Sequence, residues 1–277
     1  MRPVSISTVL FDGYPMDRAL GEIAAGGATW VEPAFIKGYV AFSEDDFSEG
    51  NATALSQAIT REGLGVIAVS AHMDCGGDDA VSMLERRIRF AGMVGAHFLI
   101  TNAGKRSQED RVLSTLRAVI PLCASTGVTV ALENPGHGSD DVIENAAQGE
   151  ALIQRIGSDR IRLNYDAGNI FTYHGGGIQP AADITRALPL VSHLHLKDVS
   201  DDGEGGWQFT ALGDGLIDYQ ALWGLLPPDL PLGIELPLRL RRPQKQDPMR
   251  VADPLPLPVI RTALRRSLDF LTRLQGS

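Results

Sequence analysis

The sequence is poor in most of what marks a secreted, membrane-bound or nucleic-acid-binding protein. Its 277 residues include only two cysteines, Cys75 and Cys123. They make no CxxC and no disulfide framework, which fits a reducing compartment. Basic residues are outnumbered, 25 Lys and Arg against 34 Asp and Glu, for a formal charge of −9. A general binder of phosphate backbones needs the opposite balance, so no nucleic-acid partner is expected. The opening MRPVSISTVLFDG has only a short apolar stretch before Asp12, too short for a signal sequence or a membrane span. We therefore expect a cytoplasmic protein without a membrane partner. No GxGxxG follows the first apolar run, which argues against a doubly wound dinucleotide-binding sheet. No linker or composition break suggests a second domain.

Hydrophobic residues make up 44% of the chain, charged residues 21%, and the mean hydropathy is −0.02. These values describe a globular protein with a sizeable core. Short Val- and Ile-rich runs recur at 4–10, 29–34, 65–71, 96–102, 128–133, 161–166, 191–197 and 232–236. Amphipathic stretches lie between them at 15–25, 53–62, 80–94, 108–126, 144–156, 180–188 and 218–225, and a last helix is expected over 258–274. Strand starts fall roughly 25 to 40 residues apart, the spacing of repeated βα units. Eight such units predict an α/β fold of the (β/α)8 TIM-barrel type, a single domain over 1–277.

That fold gives a direction, because barrel chemistry sits at the carboxyl ends of the strands. Polar residues that close the expected strands are Glu32, His72 with Asp74, Asn102, Glu133 with Asn134, Asp166, His195 with Lys197 and Asp198, and Glu235. Alternation in Val191-Ser192-His193-Leu194-His195-Leu196-Lys197 puts His193, His195 and Lys197 on one strand face. Buried polar groups cost free energy unless something satisfies them. A metal ion at the strand end would do so, and so would a hydrogen-bonded histidine pair. Glu133, Asp166, His195 and Glu235 each end a different strand, the fifth to the eighth. Three carboxylates and one imidazole suit one divalent ion, Mn²⁺ or Mg²⁺ first, with Co²⁺ or Zn²⁺ as alternatives. Without a cation, the converging carboxylates would repel.

The segments Val130-Ala131-Leu132-Glu133-Asn134, Leu163-Asn164-Tyr165-Asp166-Ala167-Gly168-Asn169, His193-Leu194-His195-Leu196-Lys197-Asp198, Gly213-Asp214-Gly215-Leu216-Ile217-Asp218 and Gly233-Ile234-Glu235 occur in that order. Together they resemble the xylose-isomerase-like TIM-barrel superfamily, in particular its sugar phosphate isomerase/epimerase group. Gly27-Ala28-Thr29-Trp30-Val31-Glu32 and Ser70-Ala71-His72 agree with its second- and third-strand motifs. The resemblance implies that Glu133, Asp166, His195 and Glu235 hold the metal, and that Glu133 and Glu235 also serve as the acid/base pair. A metal on a substrate carbonyl and a neighbouring hydroxyl makes the α C–H more acidic. One carboxylate then takes the proton and the other returns it on the opposite face. Two positions depart from the pattern. Asn169 stands three after Asp166, where His is common, and Asp201 stands six after His195, where ketose 3-epimerases carry a substrate-binding Arg. Both changes suit a different substrate, or a different outcome for the same enolate.

His72, Asn102, Asn169, His193 and Lys197 are the candidate substrate contacts near this centre. Arg241 joins them from the basic run Arg239, Arg241, Arg242, Lys245 and Arg250, which follows the eighth strand. That run reads either as a solvated or partner-facing loop, or as a clamp for a substrate carboxylate or phosphate. The Gly213-Asp214-Gly215 run needs only turn chemistry, and Cys75 lacks a base partner for nucleophilic work. The expected function is a metal-dependent isomerase or epimerase of a small sugar or polyhydroxy carbonyl compound. The alternative is a dehydratase of the inosose or dehydroshikimate type, a lyase in which a β-hydroxyl leaves the same enolate. An endonuclease IV-like phosphodiesterase would need extra histidine ligands where Asn169 stands. The expected partner is a polyol or sugar-like small molecule, with homo-oligomerisation left open.

Overall fold

In the computed structural model, residues 2–276 are described. Met1 and Ser277, the ends of the expected domain, lie outside them. The strands in chain order are β1 (Val4–Ser7), β2 (Trp30–Glu32), β3 (Ala34–Phe35), β4 (Gly65–Val66), β5 (Ala68–Ala71), β6 (Phe98–Asn102), β7 (Thr129–Glu133), β8 (Ile161–Asp166), β9 (Val191–Leu196), β10 (Asp198–Asp201), β11 (Trp207–Thr210), β12 (Leu232–Ile234), β13 (Leu240–Arg242) and β14 (Met249–Arg250). The helices are α1 (Met16–Ala25), α2 (Glu49–Arg61), α3 (Ala80–Val94), α4 (Glu109–Ala118), α5 (Ile120–Thr126), α6 (Ala146–Ile156), α7 (Ala167–Tyr173), α8 (Pro180–Asp183), α9 (Tyr219–Trp223) and α10 (Leu257–Gln275).

A parallel sheet runs β3-β5-β6-β7-β8-β9-β12-β1-β2-β4, and it closes on itself. β2 and β3 are one barrel strand interrupted at Pro33, and β4 and β5 are another interrupted at Ile67. Pairing passes from β2 with β4 to β3 with β5, so the break falls inside two strands rather than between them. Pro33 has no N–H to give, but its carbonyl still accepts the Ser70 N–H at 3.0 Å. The result is the expected TIM barrel.

Strand parity sorts the side chains. Leu132, Leu163, Tyr165, Leu194, Leu196, Ile234 and Leu236 join the large core between sheet and helices. The other parity turns inward, where Ala68, Ile100, Ala131 and Phe98 make a small separate cluster. The polar strand-end residues share this inward parity. Register brings Asn102 beside Glu133, Glu133 beside Asn164, and Asp166 and Gly233 beside His195. One irregularity matters for this alignment. Leu163 pairs with Val191 but Asn164 pairs with His193, so Ser192 is an extra residue in β9. Without that bulge Asp166 would face a leucine position.

Differences from the expected elements have local causes. The run 4–10 leaves the sheet after Ser7 and becomes a 3-10 turn over Thr8–Phe11, where Thr8 Oγ1 accepts the Ala34 N–H at 2.9 Å. The expected helix 108–126 is two, because Pro121 sits in the first turn of α5 and cannot supply an interior N–H. An antiparallel sheet β10-β11-β13-β14, unexpected from the sequence, is built from the segments after β9 and β12. Among the described residues, no helix is long and apolar enough to cross a membrane.

Candidate metal centre

Glu133 ends β7, Asp166 ends β8, His195 lies one residue before the end of β9, and Glu235 directly follows β12. All four are buried, and each offers a ligand atom within 4.8 Å of the others. His195 Nδ1 is 2.9 Å from Glu133 Oε2, 3.7 Å from Asp166 Oδ2 and 3.9 Å from Glu235 Oε2. Asp166 also serves the fold, since its Oδ1 accepts the Asn169 N–H at 2.7 Å and caps α7. That leaves its Oδ2 for the shared centre.

Lys197, two residues past His195, reaches the same point. Its Nζ is 2.9 Å from Asp166 Oδ2 and touches Glu235 Oε2. It also donates to Asn169 Oδ1 at 3.1 Å. Asp166 Oδ2 and both Glu235 oxygens are buried without a well-angled hydrogen bond. The ammonium meets Asp166 Oδ2 and Glu235 Oε2 as an ion pair and leaves Glu235 Oε1 with no partner among the described residues. Three carboxylates and an imidazole nitrogen with unspent lone pairs fit a hard or borderline divalent cation.

The charges press on one another. Burial pushes the His195 imidazole down, but Glu32, Glu133 and Glu235 outweigh it and hold the ring's pKa well above the ordinary value. Burial likewise opposes the Lys197 ammonium, and Asp166 and Glu235 overcome it. Glu133 is pushed up by burial and brought below the usual carboxylate range by His195 and His72. Glu235 is pushed up to about 7 by burial, against the pull of Lys197 and His195.

Above the carboxylates a cavity of about 410 Å³ opens to solvent, with Glu133, Glu235 and Lys197 in its wall. That volume suits a small-molecule site. His72, Asn102, Asn169 and Lys197 line it, so four of the six candidate contacts are brought to the cavity. The His72 ring lies 3.8 Å from Glu133 Oε2, and Arg87 holds the backbone beneath it by donating to the carbonyls of Ala71 and His72. Asn169 is heavily used by the protein itself, donating to Glu133 Oε1 at 3.0 Å and to the Asn134 carbonyl at 2.9 Å.

Two of the expected contacts lie away from the cavity wall. His193 is fully buried and does not line the cavity. It stands two residues deeper along β9 and bonds Asn164 Oδ1 at 2.9 Å through Nδ1. Shared parity with His195 gave the right face but not the depth. Arg241 is also absent from the cavity wall; it borders a separate groove between the antiparallel sheet and α10. Its guanidinium donates to the carbonyls of Leu238 and Leu240. Arg242, of opposite parity on β13, is buried instead and donates to the Gly136 carbonyl at 2.6 Å. Arg239 and Arg250 pair with Asp12, tying the eighth loop to the first.

Sequence reasoning missed Tyr39, which lines the cavity from the loop after β3. Burial, reinforced by the nearby carboxylates, pushes its phenol up to about 12. An aromatic in a βα loop was its only signal. Cys75 is buried and its thiol is pushed up by desolvation to about 12, so it is no nucleophile.

Comparison with known proteins gives the same picture. Residues 20–248 match the family described as xylose isomerase-like TIM barrel. The inosose dehydratase of Klebsiella pneumoniae subsp. pneumoniae is 29% identical over 131 residues, 42% of this chain and 42% of that protein. The L-ribulose 3-epimerase of Mesorhizobium japonicum is 29% identical over 184 residues, 64% of this chain and 54% of that protein. The matches thus span about half, or less, of these curated relatives. A solved structure of L-ribulose 3-epimerase superposes with a TM-score of 0.73 at 18% identity, covering 100% of this chain and 95% of the other.

Proposed function

The chain belongs to the xylose isomerase-like TIM-barrel family, and we propose that it is a divalent-metal-dependent isomerase or epimerase of a small sugar or polyhydroxy carbonyl compound. It acts from one domain that comprises the whole chain. The observation that carries this reading is the convergence of Glu133, Asp166, His195 and Glu235 at the floor of an open cavity. These four residues would hold one ion, Mn²⁺ or Mg²⁺ by the hardness of the carboxylates, with Co²⁺ or Zn²⁺ tolerated by the imidazole. Such an ion supplies Lewis acidity, which makes the hydrogen next to a substrate carbonyl removable.

The protein's own groups do the rest. Glu133 and Glu235 come from strands on different sides of the barrel floor and both line the cavity. One takes the α proton and the other delivers a proton to the opposite face. Lys197, His72 and Asn102 face the same space and bind substrate oxygens. The Lys197 ammonium, on the rigid barrel end, stabilises negative charge that develops on a substrate oxygen. Asn169 bonds to Glu133 and Lys197 and fixes both.

Dehydration is the second reading, favoured by the matches to inosose dehydratases. There the same carbanion expels a β-hydroxyl, and one glutamate serves as base. A panel of ketoses and inososes incubated in D₂O separates the two. Deuterium at the α carbon with inverted product supports epimerisation, and a conjugated product with loss of water supports dehydration. Absence of both exchange and product with every carbonyl substrate, in metal-loaded protein, would sink the reading.

A further inference from the structure

The layer beneath the carboxylates is as polar as the centre itself. Glu32, Ser70, Asn164, His193 and His195 are all buried inside the barrel, and their donors and acceptors can be assigned in turn. Glu133 Oε2 only accepts, so the Asn164 amide nitrogen, 2.6 Å away, is the donor facing it. That same nitrogen lies 3.1 Å from His195 Nδ1. Glu32 Oε1 is a carboxylate acceptor and lies 2.9 Å from His195 Nε2, so Nε2 carries a proton and donates it there. Nδ1 is left facing Glu133, 2.9 Å away, and the rest of the carboxylate cluster. The Ser70 hydroxyl also donates to Glu32 Oε1, at 2.9 Å, and orients the carboxylate.

Resting on the proposed metal centre, we infer that Glu32 is a positioning residue: its hydrogen bond to His195 Nε2 fixes the imidazole with Nδ1 aimed at the centre it shares with Glu133, Asp166 and Glu235. A carboxylate behind a ligand histidine sets tautomer and ring angle and raises the basicity of the ligating nitrogen. The packing is built for this contact. A Cβ on Gly233 would come within 2.8 Å of Glu32 Oε2, 2.9 Å of His195 Cδ2 and 3.0 Å of His193 Cε1. Any other residue there would push the carboxylate and the ring apart.

Glu32, His193 and His195 also lie close enough together to suggest a second ion site. The assignment excludes this, because His195 Nε2 spends its proton on Glu32 and has no lone pair to give. Among the described residues, these clusters provide one ion site, not two.

The test is binding rather than turnover. Full-length wild type, Glu32→Ala and Glu32→Gln are stripped of metal and titrated with Zn²⁺ by calorimetry, and the zinc-loaded forms are examined by ¹⁵N histidine spectra. Wild type should bind one ion with His195 protonated at Nε2. Glu32→Ala should bind roughly 10- to 100-fold more weakly, the usual effect of losing such a partner. Glu32→Gln, whose amide oxygen still accepts the Nε2 proton, should keep the tautomer and restore part of the affinity. Unchanged affinity in a folded Ala variant, or two ions per chain, overturns the inference alone. If the Ala variant does not fold, Gln affinity equal to wild type overturns it. A wild type that binds no ion overturns this inference and the proposed centre together. Tight binding without activity on carbonyl substrates overturns only the proposed function.

Discussion

Lys197 Nζ lies 2.9 Å from Asp166 Oδ2, so an ammonium and a carboxylate from neighbouring barrel strands share the cavity floor. Removing one partner of a buried pair leaves the other charge uncompensated, at a cost of about 3–5 kcal/mol. Lys197→Met should therefore lower the melting temperature strongly in EDTA and much less with Mn²⁺ present. Equal losses in both buffers would show that the ammonium does not balance these carboxylates.

Glu133→Gln and Glu235→Gln keep size and one ligand oxygen but remove the base. Each should lower kcat by at least ~10²-fold, the scale of general acid–base catalysis, while metal content by elemental analysis stays near wild type. For an epimerase, one of the two should still exchange the α proton with D₂O without inverting the centre. Full activity in both would end the proton-transfer mechanism.

Arg241 and Arg242 should part company. Arg241→Ala touches no cavity residue and should leave KM and kcat within about twofold, the range expected for a surface change. Arg242→Ala removes bonds to the Gly136 and Gln246 carbonyls and a cation–π contact with Trp207. It should cost about 1–3 kcal/mol of stability. Urea denaturation of both variants decides, and a larger loss in Arg241→Ala would contradict the structure.

Asp198 gives a pH dependence with a defined sign. Burial pushes its carboxyl up to about 6, against four backbone N–H groups from Val199, Gly213, Gly215 and Ile217. The folded pKa is above the unfolded one, so the folded state holds this proton more tightly. Its contribution to stability is complete below the unfolded value of about 4 and is lost as pH rises through 6. Between pH 4 and 7 the stability of wild type should therefore fall relative to Asp198→Asn. Urea midpoints measured across that range test this, and a rise would reverse the assignment.

Much of this was legible in the sequence because it depends on period. Alternation put Glu133, Asp166, His195 and Glu235 on the inward face, and strand count gave the barrel. Depth was not legible. His193 and His195 share parity, yet only contacts with Asn164 and Phe98 show that one lies under the other. Arg241 and Arg242 differ by one residue, and without a visible strand their parity had no reference. The segment 198–210 is acidic and glycine-rich, and its hairpin is held partly by Trp207 against Phe171 and Arg242, contacts from distant parts of the chain. Glu32 closed an expected strand, but its partner is 163 residues away.

The bulge at Ser192 has a consequence for anyone who edits this gene. Ser192 is the one residue β9 can spare, since the register passes over it from Leu163–Val191 to Asn164–His193 and its hydroxyl makes only one long bond, 3.4 Å to the Leu163 carbonyl. Delete it, and Val191 and His193 become neighbours in an unbroken ladder, so both imidazoles keep their side. Insert a residue after Leu194 instead, and every later residue of the strand changes sides: Leu196 enters the barrel, and His195 and Lys197 turn out among the helices. One added codon there would do more damage than most substitutions of the ligands, because it would undo the floor of the site while leaving every residue of it in the sequence.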